Sequence, residues 1–409
     1  MFSKVEHTVS RKNPIVMAAF AAVVFVFFGV LGNSADVTWQ FTKADALWAL
    51  PNFVVSSSLV GIVVGVLLAA ITAVSFVLVS RRVQPPLWLS LIFGLLAVIA
   101  LLSWLAAGNT IQFAFIMSNA IVLAVPIALG AMGGIMSERV GVVNIAIEGQ
   151  LLTGAFLAAV VGSLTDNLWL GLLAAMIGAA LMSMVLAAFS IKYLVDQVIV
   201  GVVLNVLVIG ITNFLYSQWL AQDGQNSNFP GTFDIVPIPV LSEIPVLGPA
   251  LFANRVTTYL AFLIIPALWF FLFKTKLGLR ARAVGEHPLA ADTVGINVAR
   301  TRFWWVTLGG MVAGIGGAAL TIGSVGAFGR EMSGGQGFIA LAVVILGRWH
   351  PFSAAAASLL FGFAIIMRIW ANQVSPGIPT DFITMVPYLV TLIAVAGFAG
   401  KVKPPAASG

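Results

Sequence analysis

The chain of 409 residues is 60% hydrophobic and 8% charged, with 20 basic and 14 acidic residues, a formal net charge of +6 and no cysteine. Soluble domains carry about a quarter of their residues as charges, so a water-soluble globular enzyme of this size is excluded. Without cysteine there are no disulfides, thiolate metal sites or thiol nucleophiles.

A mean hydropathy of +1.07 and recurring apolar runs of about 20 residues, the length a helix needs to cross the hydrocarbon core, predict an all-α polytopic membrane protein. The period-two alternation of a transmembrane barrel does not occur. In chain order, apolar segments are predicted at 14–32, 53–79, 87–107, 112–135, 142–163, 168–190, 197–216, 257–273, 303–323, 337–347, 352–370 and 382–399. That makes twelve candidates, and about ten to twelve transmembrane helices are expected. Arg11 and Lys12 precede the first segment, which outlasts the roughly 7–15 apolar residues of a signal peptide and is expected to remain as an anchor.

Lysine and arginine accumulate in cytoplasmic loops. With twelve crossings and a cytoplasmic N-terminus, 16 basic residues fall inside and only Lys43, Arg255, Arg330 and Arg368 outside. Both termini are therefore expected in the cytoplasm. The basic balance then reflects topology and contact with anionic lipid headgroups, and no nucleic-acid partner is expected.

Two loops are long. Residues 217–256 are expected outside, with Asp223, Asp234, Glu243 and four prolines from Pro230 to Pro245, as a ledge for an external partner. Residues 274–302 are expected inside and hold six basic and two acidic residues. Within them Pro288 fits the first turn of a helix and Gly295 its stop, predicting a short helix over about 288–294 that presents Glu286, His287 and Asp292.

Three runs of sequence carry a family resemblance. Residues Glu138 to Gln150 (ERVGVVNIAIEGQ), Arg280 to Val298 and Ser333 to Trp349 (SGGQGFIALAVVILGRW), with a weaker fourth at Pro387-Tyr388-Leu389, resemble signature stretches of bacterial ABC importer permeases of the nucleoside and simple-sugar group, related to those for ribose and branched-chain amino acids. The resemblance covers roughly residues 112–400. It implies an ABC importer permease fold, with residues 1–110 an anchor helix plus an added hairpin, 111–400 the permease core and 401–409 a cytoplasmic tail.

The resemblance also implies partners: a cytoplasmic nucleotide-binding ATPase, a second permease subunit, commonly a different chain, and an extracytoplasmic substrate-binding protein, all at the bacterial inner membrane. No Gly-x-x-x-x-Gly-Lys-Ser/Thr phosphate loop occurs, so ATP and magnesium are expected on the ATPase and no cofactor on this chain. The predicted short helix becomes a coupling element, with Arg282, Gly285, Glu286, His287, Pro288 and Asp292 as the ATPase-coupling residues.

Asn144 and Glu148 are four residues apart and expected on one face of the fifth span. Counted from Arg139, Glu148 lies roughly 13 Å in, close to mid-bilayer, where a carboxylate is costly and marks a functional position. Ribose hydroxyls or base N–H groups would donate to it. With Asn119, Gln150 and Asn205 these residues form the predicted translocation pathway, although each taken singly is equally explained by interhelical hydrogen bonding. Gly310 and Gly314 give the ninth span a small-xxx-small packing face. The Ser333–Gly337 run predicts broken or re-entrant backbone.

Two rival classes predict features of their own. An ion-gradient-driven secondary transporter of a small polar solute would show inverted repeats or paired acid and base relays, and neither is evident. An intramembrane enzyme would need a catalytic constellation; His7, His287 and His350 all fall at or beyond span ends, with no His-Glu-x-x-His pair.

Overall fold

Apolar length decides the architecture. The computed structural model describes residues 12–42, 48–374 and 404–407. Ten of its helices are long and apolar enough to cross a bilayer, and shorter helices lie between them. The order is α1 Lys12–Val30, α2 Ser57–Ser80, α3 Trp88–Leu105, α4 Phe113–Glu138, α5 Ile147–Thr165, α6 Leu168–Lys192, α7 Gln197–Leu220 and α8 Val256–Lys274. There follow the short α9 Lys276–Glu286 and α10 Pro288–Thr293, the long α11 Val298–Val325, the short α12 Gln336–Leu346 and α13 Pro351–Val374. Each predicted segment except the last therefore has its helix, and the expected span at 382–399 lies outside the described residues, as do Lys43 and Pro387-Tyr388-Leu389. Gln112, read as the start of the fourth span, belongs instead to a short strand, and α4 begins at Phe113.

The helices fall into two compact units, one ending at Phe115 and regaining the chain from Ile369, the other comprising Ile116–Arg368 with the described tail residues. In the first, α2 carries Gly61 and Gly65 against α1. A methyl at Gly61 would overlap the Phe28 backbone, and one at Gly65 would stand 2.8 Å from Phe25 Cα. Phe28 stacks on Trp104 of α3 with centroids 4.9 Å apart. A three-stranded sheet completes this unit. Its central strand β1 (Asp36–Gln40) pairs antiparallel with β2 (Phe53–Ser56) and parallel with β3 (Thr110–Gln112).

In the second unit α11 is the central helix, packed on α5 and α6. No water is displaced when helices associate in lipid, so close backbone contact has to supply the attraction. α11 achieves it with glycines. Side chains at Gly310, Gly314 and Gly317 would overlap Ser183, the Ala175 carbonyl and the Leu151 carbonyl respectively, which realises the predicted packing face. Apolar residues of α4, α8, α12 and α13, among them Ile127, Met132, Ile339, Val343 and Phe361, form one buried cluster around α12.

Candidate functional site

The expected continuous helix over 142–163 does not form. α5 starts only at Ile147, and residues 139–146 are an irregular, largely buried connector after α4. The chain leaves helical geometry at Gly141, whose φ of +82° is a left-handed conformation open to glycine. Asn144 therefore precedes the helix and does not share a helical face with Glu148.

Buried non-helical backbone must find other partners, and side chains of neighbouring helices provide them. Gln197 Oε1 accepts the Val143 N–H at 2.6 Å, and Arg302 Nε donates to the Val140 carbonyl at 3.0 Å. Asn205, eight residues and about 12 Å along α7 from Gln197, serves both sides of the helix start. Its Nδ2 donates to the Ile145 carbonyl at 2.9 Å and its Oδ1 accepts the Gly149 N–H at 2.8 Å.

Asn144 and Gln150 meet each other. Asn144 Nδ2 donates to Gln150 Oε1 at 3.1 Å and Gln150 Nε2 returns a bond to Asn144 Oδ1 at 3.2 Å. Gln150 Nε2 also reaches Ser183 Oγ at 2.8 Å, and Ser137 Oγ lies 3.5 Å from Asn144 Nδ2. All four residues are fully buried, so α4, the connector, α5 and α6 are joined by a closed polar network with matched donors and acceptors. Asn119 lies apart from it, partly buried in the first turns of α4.

Glu148 is 5% exposed and points at the segment before α12. One oxygen accepts Ser333 Oγ at 2.7 Å and the Gly335 N–H at 2.8 Å; the other accepts the Gly337 N–H at 2.6 Å. The carboxylate thus caps the N-terminus of α12, where free amides and the helix dipole favour negative charge. The glycine run makes this approach possible. Gly334 and Gly335 have φ of +53° and +82°, and a methyl at Gly337 would overlap Glu148 Cα. With 11 residues, α12 is about 16 Å long, half of a bilayer core of about 30 Å. The broken backbone expected at Ser333–Gly337 is present, and Glu148 is what satisfies it.

The charged connector between α8 and α11 folds as α9 and α10, separated by His287. Pro288 occupies the first turn of α10, as its missing N–H predicts. Glu286, His287 and Asp292 are exposed. So are two apolar side chains that the sequence reading passed over, Leu289 at 85% and Val294 at 74%. Their signal was an aliphatic residue within a polar loop. Gly285 differs from its neighbours: it is buried, and a side chain there would overlap the Arg139 carbonyl. Arg282 is partly buried with its guanidinium 5.1 Å from the Phe273 ring centre.

Three residues outside the predicted set complete this end of the second unit. Glu138 Oε2 accepts the Trp349 indole N–H at 2.5 Å, and Arg139 donates twice to the Trp349 carbonyl, at 3.1 and 2.9 Å. Burial lowers the Arg139 pKa, with Arg282 acting in the same direction and Glu286 opposing. Burial, and then the Arg139 charge, also lower the His350 pKa. A glutamate-arginine pair closing an apolar run was the available signal.

Ten membrane-length helices together with a broken, carboxylate-capped half-helix define a multi-pass membrane protein of the transporter class. The chain belongs to the family described as the branched-chain amino acid transport system permease component, which it matches over residues 116–395. It is accordingly a transporter membrane subunit and not an enzyme. It is 40% identical to the guanosine ABC transporter permease protein NupQ of Bacillus subtilis, over 71% of this chain and 93% of the relative. The nucleoside ABC transporter permease protein NupC of Lactococcus lactis is 38% identical over 74% of this chain and 96% of its own. TsgC13 of Haloferax volcanii, whose name assigns it provisionally to glucose ABC transport, is 37% identical over 64% and 80% respectively. No solved structure matches the chain significantly.

Proposed function

We propose that this chain is the permease subunit of an ATP-driven importer that moves a nucleoside, or a related sugar-like solute, delivered by an extracytoplasmic binding protein. The observation that carries this reading is the α9–α10 segment, where Leu289 and Val294 stand exposed in the same short stretch as Glu286, His287 and Asp292. Exposed aliphatic side chains in a charged segment fit the surface of a partner protein. That partner is the cytoplasmic ATPase, which binds ATP and magnesium. A second permease subunit, a different chain, completes the membrane pair.

In this reading the N- and C-termini lie in the cytoplasm of a bacterial inner membrane, as the distribution of basic residues favours. Residues 111–400 are the permease core, in keeping with the family match over 116–395, and residues 1–110 are an addition. Residues 217–256 face the binding protein. The solute passes the break at Glu148, with Asn119, Asn144, Gln150 and Asn205 shaping or bracing the path. The names of NupQ and NupC favour a nucleoside, and that of TsgC13 keeps a hexose as the alternative.

The test is uptake into proteoliposomes holding the chain with its ATPase, second permease and binding protein, using radiolabelled guanosine and, in parallel, glucose. ATP-dependent guanosine uptake is expected. Uptake driven by an ion gradient without any ATPase would replace this reading with that of a secondary transporter.

A further inference from the structure

The connector between α4 and α5 is bracketed by two glutamates, and each holds one end of α12. Glu148 accepts the amides of Gly335 and Gly337 at its N-terminal end. At the other end the Gly347–His350 turn places Arg348 and Trp349 consecutively at φ of 53° and 52°, a conformation that residues with a Cβ keep only when surrounding contacts impose it. Those contacts come from the last residue of α4 and the first residue of the connector. Glu138 takes the Trp349 indole N–H, and Arg139 bonds the Trp349 carbonyl through Nε and Nη2. Glu138 and Trp349 are both buried.

Along its length α12 lies against glycines of α4. A methyl at Gly130 would stand 3.1 Å from Ala340 Cβ, and one at Gly134 would stand 3.0 Å from Val344 Cγ2. The directional bonds at the two ends add to this close packing and tie α12 to the residues that flank the connector. The connector is also where α9 arrives. Gly285 abuts the Arg139 carbonyl, and the Arg139 and Arg282 guanidinium groups stand 5.7 and 5.1 Å from the same Phe273 ring.

We propose that α12 and the 139–146 connector are clasped into one unit, and that the Glu138–Trp349–Arg139 clasp carries displacement of the α9–α10 segment to the broken backbone at Ser333–Gly337. Glu138, Arg139 and Trp349 are positioning residues for transport: they touch neither ATP nor solute. The inference rests on the reading of α9–α10 as the ATPase contact. Push on Gly285 and the connector moves; because α12 is bonded at both ends, its N-terminus moves too.

The experiment compares the wild-type complex in proteoliposomes with Trp349→Phe and with the double variant Glu138→Leu/Trp349→Phe, reading guanosine taken up per ATP hydrolysed. Removing both partners of a buried hydrogen bond together leaves neither unsatisfied, which preserves folding. The double variant is expected to assemble and to hydrolyse ATP within twofold of wild type, with uptake per ATP reduced at least tenfold. Trp349→Phe, which keeps an aromatic ring but loses the indole N–H with its pyrrole half, should reduce the same ratio in the same direction. An unchanged ratio overturns the proposal, as does a fall in uptake matched by an equal fall in hydrolysis. A wild-type complex without ATP-dependent uptake of guanosine or glucose defeats the importer reading instead, so the two failures are distinct.

Discussion

Asn205 of α7 bonds Gly149 of α5 and, through its other amide atom, the Ile145 carbonyl, at 2.8 and 2.9 Å. One side chain thus stands in for the helix that residues 139–146 do not form. Replacing it by leucine leaves one backbone donor and one acceptor buried without partners, at about 1–3 kcal/mol each. Asn205→Leu is expected to lower the stability of the detergent-solubilised protein by about 2–6 kcal/mol in total, measured by tryptophan fluorescence on heating. An unchanged melting curve would show that the connector's backbone is satisfied by other means.

Two neighbouring glycines separate conformational strain from close approach. Gly334 has φ of +53° with open space around its Cα, whereas a methyl at Gly337 collides with Glu148. Gly334→Ala is expected to cost only about 1–2 kcal/mol, the penalty of a left-handed residue. Gly337→Ala should push α12 off the carboxylate and abolish uptake at normal membrane levels of the protein. Equal activity of the two variants would contradict the capping geometry.

Leu289 is 85% exposed, so its replacement should not disturb the fold. Leu289→Asp and Glu286→Arg are each expected to leave expression and melting temperature unchanged while lowering solute-stimulated ATP hydrolysis of the assembled complex at least tenfold. Full stimulation in both variants would remove the α9–α10 segment from the ATPase contact.

His350 lies between α12 and α13, and its pKa falls below the ordinary 6.5 through burial and the nearby Arg139 charge. The folded protein therefore prefers the neutral imidazole. Below pH 6.5 the unfolded chain binds the proton first, and stability declines as pH drops toward the folded-state value. Thermal melting between pH 5 and 8 should show this decline, and His350→Gln should flatten it. A wild-type profile that stays level below pH 6.5 would mean the imidazole is not held neutral.

Membrane-length apolar runs, the short helix begun by Pro288 and the break before α12 were all readable from residue order. Bilayer thickness, the missing proline N–H and glycine's φ range are local constraints that a sequence displays directly. The fifth span was misread from the same rules. Val142 to Ala146 look helical by composition, yet the preceding Gly141 turns left-handed and Gln197 and Asn205, more than 50 residues away, take over the backbone bonds.

Glu148 shows the same division. Its rarity within apolar surroundings marked it as consequential, because an intramembrane carboxylate is costly. That its partners are Ser333, Gly335 and Gly337, and that Glu138 matches it at the far end of α12, rests on contacts between residues 185 to 211 positions apart. The sequence by itself determined where the chain crosses the membrane and where it carries charge, since those follow from the cost of each residue in lipid. Only the tertiary structure decided which buried polar groups meet, because a hydrogen bond depends on distance and direction that residue order does not encode.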